Sequence, residues 1–215
     1  MPDNATEWLP FARFNLLRNP FGQLTQEDRI AAAIVDTPRW LPSLVDPRRA
    51  IQFMADCGRG KSTHLLALLA QCPDGAYVYL PEDGPKPKIP HGNPLFIDEA
   101  QRMSWWQRQQ SFRSGVPLVL GTHEDLSTPL GRAGYHVETV DVTTMISPDR
   151  IHRLLNRRIE LGRLSSREIP NITIDCVAGL VDRFGDNIRA MEGYLYDQFQ
   201  SALKDEKTIA WLNAN

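Results

Sequence analysis

The sequence lacks the features that mark membrane, secreted and metal-ligating proteins. No apolar run approaches the roughly 20 residues that a bilayer-spanning helix needs. Asp3 and Glu7 precede any apolar stretch, whereas a signal peptide is basic and then apolar. Cys57, Cys72 and Cys176 have no metal-ligand spacing and cannot all pair, so reduced thiols are expected. These absences favour a cytoplasmic protein.

The sequence also lacks an excess of charge of one sign. Its 215 residues carry a formal net charge of -2, which argues against a strongly basic nucleic-acid-binding protein but is compatible with a local basic face. Hydrophobic residues make up 42% and charged residues 23%, a balance that lets one domain, or one domain with a small appendage, bury a core.

From residue 51 onward, short apolar runs alternate with helical patterns. The predicted strands are residues 51–54, 76–80, 95–97, 117–120 and 137–142. A short helix is predicted over residues 105–112, and Pro85, Pro87 and Pro90 make the segment before the third strand a loop. The alternation predicts an α/β fold built on a mostly parallel, doubly wound, five-stranded sheet.

Helical patterns flank this region on both sides. Thr25 is expected to cap a helix that continues through Val35. Beyond Thr143 the strands stop, and Ser147 with Pro148 forms a helix start. Three apolar stripes with helical spacing follow: Ile151, Leu154, Leu155 and Ile159; Ile174, Val177, Leu180, Val181 and Phe184; Ile188, Met191, Leu195 and Phe199. They predict a C-terminal appendage of three helices.

A glycine-rich segment lies between the first strand and an apolar helix. Its residues are Ala55, Asp56, Cys57, Gly58, Arg59, Gly60, Lys61, Ser62 and Thr63. Such a loop turns successive backbone N–H groups toward a phosphate at a helix N-terminus, and the lysine adds charge to the outer phosphates. Ser62 would place its hydroxyl on Mg²⁺, whereas Ala55 stands where the pattern usually has glycine. The segment predicts binding of a nucleoside triphosphate, ATP with Mg²⁺.

Two carboxylates end the third predicted strand, at the edge that faces the ligand crevice of a parallel sheet. Asp98 is expected in the Mg²⁺ shell, since hard oxygen ligands suit that ion. Glu99 is then available to polarise an attacking water. After the fourth strand, Thr122 or His123 could touch the γ-phosphate or the water, and Thr122 is preferred because its hydroxyl leaves the strand first.

Two arginines are candidates for stabilising phosphate charge through bidentate contacts. Arg132 lies just before the fifth strand, and Arg189 lies in the segment Asn-Ile-Arg-Ala-Met-Glu-Gly, residues 187–193. Spacing alone leaves both open between a functional role and an ordinary surface role.

Taken together, these motifs over roughly residues 15–203 resemble the AAA+ ATPases. The segment at residues 187–193 is similar to the Asn-Val-Arg-Glu-Leu-Glu-Gly signature of bacterial replication initiators, whereas Asn19-Pro20-Phe21 resembles secretion-linked and transposition ATPases. The resemblance implies the following roles: Lys61 and Ser62 for phosphate and Mg²⁺, Asp98 and Glu99 as Walker B, Thr122 as sensor 1, Arg189 as sensor 2, Arg132 as a finger acting on a neighbour's nucleotide, and Asn19 and Phe21 as nucleotide contacts.

The predicted organisation has four parts. Residues 1–50 form a lead-in packed on the core, 51–145 the P-loop core, 146–205 a helical lid and 206–215 a tail. The initiators' C-terminal DNA-binding helices have no counterpart here, which puts a DNA role borrowed from them in doubt.

Two further features point to partners. Arg150, Arg153, Arg157 and Arg158 cluster with His152 along the first lid helix. They are either a solvated face or a basic face for DNA or a neighbouring subunit. Trp105 and Trp106 cannot both face one core from a short helix, so a partner surface or partial burial is expected.

These observations predict a Mg²⁺-dependent ATP hydrolase that self-associates and couples hydrolysis to a partner, with a protein partner favoured and nucleic acid open. Two alternatives remain at this stage. One is a nucleotide-dependent interaction module with little turnover, suggested by the altered loop. The other is a small-molecule kinase, against which Glu99 beside Asp98 and the three-helix C-terminus argue.

Overall fold

The computed structural model describes residues 9–204 and divides them into two compact units. The sheet unit comprises residues 35–145. The helical unit combines residues 9–34 with residues 146–204. The lead-in predicted over residues 1–50 is therefore divided, because its first described part packs with the C-terminal helices and its last part with the sheet.

The sheet unit contains five parallel strands. They are β1 (Arg49–Met54), β2 (Ala76–Tyr79), β3 (Leu95–Asp98), β4 (Leu118–Thr122) and β5 (His136–Asp141), in the spatial order β2-β3-β4-β1-β5. Every neighbouring pair is parallel. The predicted α/β fold with a five-stranded parallel sheet is thus confirmed, with strand bounds that differ by one or two residues.

Helices cover both faces of the sheet. They are α2 (Lys61–Leu69), α3 (Trp105–Arg113) and α4 (Ser127–Arg132). Ile51 and Phe53 of β1 pack with Leu65 and Leu68 of α2, whereas Ala50 packs on the opposite face in a cluster that includes Phe112 of α3. Alternate residues of one strand thus bury themselves on opposite faces, as a doubly wound sheet requires.

The helical unit contains four α-helices. They are α1 (Gln26–Ala32), α5 (Pro148–Leu161), α6 (Ile174–Phe184) and α7 (Ile188–Lys204). Thr25 caps α1 in a reciprocal capping box with Asp28, but α1 ends at Ala32 because Ala33 is extended, so the predicted continuation to Val35 is wrong. The cap at Ser147 and the three C-terminal helices are confirmed. Within residues 9–204, none of the helices has the length and hydrophobicity that crossing a bilayer requires.

Candidate functional site

The turn after β1 forms the first part of the site. Gly58 and Gly60 have φ angles of 85° and 94°, in the left-handed region that glycine adopts without strain. Gly60 is the N-cap of α2, which begins at Lys61. The N–H groups of the first turn of a helix have no intrahelical acceptor, so this end of α2 offers donors and positive potential to an anion.

Lys61 lies in the turn rather than in solvent. Its side chain is only 5% exposed, and Nζ donates hydrogen bonds to the carbonyl oxygens of Ala55 (2.8 Å) and Asp56 (3.0 Å). Burial lowers the pKa of Lys61 below its ordinary value, while the carboxylates of Glu99 and Asp98 oppose that shift. The turn thus concentrates a buried cation beside two carboxylates.

Asp98 ends β3 and is 1% exposed. Its carboxylate accepts hydrogen bonds from the Tyr77 hydroxyl (3.0 Å), from the Glu99 N–H (3.1 Å) and from the Ser62 side chain. Burial raises the pKa of Asp98, and the hydrogen bonds of Ser62 and Tyr77 offset part of that rise. The predicted magnesium residues, Ser62 and Asp98, are in direct contact.

Gly121 makes room for the Asp98 carboxylate. The two residues are register partners in β4 and β3. A Cβ atom added to Gly121 would lie 2.6 Å from Asp98 Oδ1, closer than such atoms approach. The sequence carried a signal for this residue, because a glycine inside a strand often marks a close approach.

Glu99 is held in the left-handed conformation at φ 59° and ψ 46°, which few residues other than glycine adopt. Its carboxylate lies 2.8 Å from Gln101 Nε2, 3.2 Å from His123 Nε2 and 3.4 Å from Arg102 Nη2, and its Oε1 lies 4.0 Å from Lys61 Nζ. Strained backbone of this kind persists where the surroundings determine it, and it is common at functional sites. Gln101 and Arg102 were not predicted, since only the left-handed turn brings them back to Glu99.

Thr122, the last residue of β4, and His123 lie differently with respect to the Glu99 cluster, and the catalytic role of Thr122 stays a prediction. The Thr122 hydroxyl donates to the Glu124 carbonyl (2.8 Å) and accepts from the Glu124 N–H (3.0 Å), so it closes a local turn instead of joining the cluster. His123 joins it, because Nε2 lies between Glu99 Oε2 and Lys61 Nζ, 3.4 Å from the latter. A protonated Nε2 donates to the carboxylate, and an unprotonated one accepts from the ammonium group.

A buried glutamine fixes the loop that carries His123. Gln52 of β1 is fully buried, and its Nε2 donates to Asp125 Oδ1 (2.6 Å) and Thr139 Oγ1 (2.7 Å). Its Oε1 accepts from the Leu126 N–H (2.9 Å). Because an unsatisfied buried amide is costly, these bonds hold Asp125 and Leu126 of that loop beside β1 and β5.

The other residues of the loop range from exposed to half-buried. Arg59 Nη1 pairs with Asp56 Oδ2 at 3.0 Å, Cys57 is exposed, and Ser62 and Thr63 are half-buried at the start of α2. The described residues contain no group of three or more histidines, cysteines or carboxylates placed to hold a metal by themselves. A magnesium ion would therefore need further oxygens, such as phosphate oxygens, beside Ser62 and Asp98.

Arg132 ends α4 in the sheet unit and is exposed, and its side chain makes no hydrogen bond or ion pair with residues in the described range. The other predicted contacts belong to the helical unit. Asn19 donates to the Tyr196 carbonyl and accepts from the Phe21 N–H, each at 3.0 Å, and Phe21 packs in that unit's core. Arg189 lies exposed on α7. The nucleotide contacts assigned to Asn19, Phe21 and Arg189 stay predictions.

The arginine cluster of α5 is not one solvated basic face. Arg158 is buried, donates to the carbonyls of Pro20 and Gly22, and pairs with Glu192. Arg150 and Arg157 donate to the carbonyls of Ile34 and Ala31, each at 2.6 Å. Arg153 pairs with Asp149 at 3.0 Å. Three of the four guanidinium groups thus attach residues 20–34 to α5, which a sequence pattern cannot distinguish from a surface for DNA.

Comparison with known proteins identifies the fold. No family model matches the chain, and no curated protein matches it in sequence. Its fold is similar to that of a structure described as a DNA replication initiation factor, at a TM-score of 0.52 and 12% identity over 78% of this chain and 60% of that one. It is also similar to the Thermotoga maritima RuvB Holliday junction branch migration motor, at a TM-score of 0.52 and 14% identity over 85% and 63% of the two chains. The chain thus spans less than two thirds of either neighbour.

Proposed function

We propose that this chain, which has the fold of the AAA+ P-loop ATPases, binds ATP with Mg²⁺ at the carboxyl edge of its sheet and hydrolyses it. One observation carries the proposal. The buried Lys61 lies 4.0 Å from Glu99 while Ser62 contacts Asp98, so the chemistry-bearing residues of two separate motifs meet at one place. An ion pair that only stabilises a fold does not require a glutamate with a left-handed backbone, a glycine turn and a helix N-terminus at the same place.

The residues present fit such a ligand. The backbone of residues 58–63 and Lys61 would hold the phosphates, while Ser62 and Asp98 would hold Mg²⁺. Bound Mg²⁺ and ATP supply a polarised phosphoanhydride whose cleavage needs mainly positioning and charge stabilisation. The lowered pKa of Lys61 and the raised pKa of Asp98 are both consequences of burial that a triphosphate and a divalent cation would counter by favouring the charged forms.

Glu99 is the proposed base. Gln101, Arg102 and His123 all lie within 3.4 Å of its Oε2, so three neighbours orient the side chain. A carboxylate in this position accepts a proton from the attacking water. His123 is the positioning residue that couples this carboxylate to Lys61.

Self-association and a partner complete the proposal. Arg132 is exposed on the sheet unit, which suits a finger that reaches the nucleotide of a neighbouring copy. The roles of Arg189, Asn19 and Phe21 toward the nucleotide stay part of this proposal. The similar structures are described as a replication initiation factor and a branch migration motor. From them we infer only that ATP hydrolysis by this chain drives work on a macromolecular partner.

Calorimetric titration with ATP and Mg²⁺ tests the binding step. Lys61→Ala removes the buried cation of the loop and should abolish measurable ATP binding. Lys204→Ala, at the exposed end of α7, should bind ATP as the parent does. Equal affinity of the Lys61→Ala variant and the parent would contradict the assignment of the loop.

A further inference from the structure

Two adjacent tryptophans at the start of α3 face solvent. Trp105 is 62% and Trp106 76% exposed. Their ring centroids are 4.4 Å apart at an interplanar angle of 82°, so the indoles form an edge-to-face pair. The sequence predicted a partner surface or partial burial, and the structure places both indoles outside the core.

The backbone beneath the indoles is well held. Ser104 caps α3 in a reciprocal capping box with Gln107, and Phe112 at the other end of the helix is buried against the sheet. Gln107 Nε2 also donates to the carbonyl of Pro87 at 2.8 Å, which ties the proline-rich loop to the helix. The indoles therefore project from a rigid frame, and no packing requirement of the sheet unit accounts for their exposure.

The surroundings of the indoles carry positive charge. From Glu82 to His123 the chain carries the exposed carboxylates of Glu82 and Asp83 and the buried carboxylates of Asp98 and Glu99, against five lysines and arginines. Arg102 pairs with Glu82, and Arg108 lies 4.0 Å from Glu124. Three cations remain that have no carboxylate partner in the part of the chain that the structure describes: Lys86, Lys88 and Arg113.

These cations lie near the indoles. Lys86 donates to the carbonyl of Arg102, three residues before Trp105. Lys88 follows Pro87, whose carbonyl accepts from Gln107. Arg113 is the last residue of α3, about 12 Å along the helix from Trp105 at the usual rise per residue. We call Trp105, Trp106, Lys86, Lys88 and Arg113 the indole platform.

We infer that the indole platform binds single-stranded nucleic acid, with unpaired bases stacked on the indoles and phosphates beside Lys86, Lys88 and Arg113. Exposed aromatic faces bordered by cations are the chemistry of sequence-tolerant single-strand binding. A protein partner is less well matched. An aromatic side chain buries about 150–250 Å², so the exposed fractions of the two indoles leave about 350 Å² of surface for a partner to cover. One side of a specific protein interface covers about 800 Å².

Fluorescence anisotropy of a labelled oligothymidylate of about 15 nucleotides tests the inference. The parent should bind it at about 50 mM salt, and an oligouridylate of equal length should bind comparably, because stacking does not read the sugar. The double variant Trp105→Ala/Trp106→Ala should bind at least tenfold more weakly. The matched control is Val45→Ala, which trims another strongly exposed apolar side chain of the sheet unit and should leave affinity unchanged.

Two further variants separate stacking from charge. Trp105→Phe/Trp106→Phe keeps an aromatic face and should retain most of the affinity. Lys86→Ala/Lys88→Ala should lower the slope of log affinity against log salt by about 1.4, since a single-strand contact contributes about 0.7 to it.

Several results would overturn the inference. They are an absence of oligonucleotide binding at about 50 mM salt, equal binding by the alanine double variant, or equal affinity for a duplex. Sedimentation that shows self-association lost in the double variant, with no oligonucleotide bound, would instead assign the indoles to an interface between copies. Lys61→Ala should bind the oligonucleotide as the parent does, so this inference and the ATPase proposal can fail separately.

Discussion

Asp98 is a buried carboxylate that the surrounding hydrogen bonds stabilise only in part, since burial still raises its pKa above the ordinary value of 3.8. Between that ordinary value and the raised native value, the folded chain binds more protons than the unfolded chain. Stability from this group is therefore complete below the ordinary value and falls as pH rises through the native pKa.

Replacement of Asp98 by asparagine should thus stabilise the protein at neutral pH while it removes a residue proposed to hold Mg²⁺. We expect Asp98→Asn to raise the free energy of unfolding at pH 7, a gain that shrinks as pH falls toward the ordinary value of 3.8. Urea unfolding in EDTA at several pH values measures this. A variant less stable than the parent at pH 7 would show that the ionised carboxylate is held by stronger bonds than those described.

Individual site residues differ in how far the sequence could predict them. Lys61, Ser62, Asp98 and Glu99 follow from local motifs, because a strand end and a helix start fix where their side chains go. The choice between Thr122 and His123 could not be made from local motifs. The Thr122 hydroxyl is captured by the backbone of its own turn, and only the folded loop reveals that His123 takes the position beside Glu99.

At the scale of elements, strand β4 contains a position that must lack a side chain, which its apolar pattern does not indicate. Gly121 lies between β3 and β1, opposite both Asp98 and Phe53. Any side chain there would compete with the Asp98 carboxylate for the same space. Strand β4 therefore positions Asp98, the residue of β3 that is proposed to hold Mg²⁺.

We expect Gly121→Ala to lower Mg²⁺-dependent ATP turnover at least tenfold and to cost about 1–3 kcal/mol of stability, because the new Cβ displaces Asp98 Oδ1. Turnover assays and urea unfolding measure the two effects. Gly131→Ala is the matched control, since a Cβ on α4 meets nothing within 4 Å. Normal turnover in Gly121→Ala would mean that Asp98 has no part in the reaction.

Most elements could be predicted from the sequence, because apolar periodicity and caps are local signals. The five strands and the helices α1 to α3 and α5 to α7 were anticipated, and α4 was not. Its six residues include Pro129 and Gly131, which are poor helix formers, and its start lacks a side-chain cap. Tertiary packing of Leu130 against the sheet outweighs that weak propensity.

At the scale of the whole molecule, the sequence order conceals how the chain is divided. Residues 9–34 join helices that follow more than a hundred positions later, through contacts such as those of Asn19 with Tyr196 and Arg158 with Pro20. No local pattern reports a pairing at that separation. This is why one N-terminal lead-in was predicted.

The exposed Arg132 allows the assembly of copies to be tested. If Arg132 completes the site of a neighbouring copy, Arg132→Ala should bind ATP normally and lose at least 100-fold in turnover, whereas Arg29→Ala, exposed on α1, should behave as the parent. Mixing Arg132→Ala with Lys61→Ala chains should restore activity, because one provides an intact nucleotide site and the other an intact finger. An absence of rescue in mixed oligomers would contradict a role in trans.

The central claim is that this molecule hydrolyses ATP through Glu99. The most direct measurement compares Mg²⁺-dependent turnover and ATP affinity in the parent and in Glu99→Gln, which keeps the side-chain shape and removes the base. In Glu99→Gln, ATP affinity should be unchanged and turnover lowered by about 10²–10⁴-fold. Parent-like turnover in Glu99→Gln, or a parent that binds ATP and never hydrolyses it, would contradict the account.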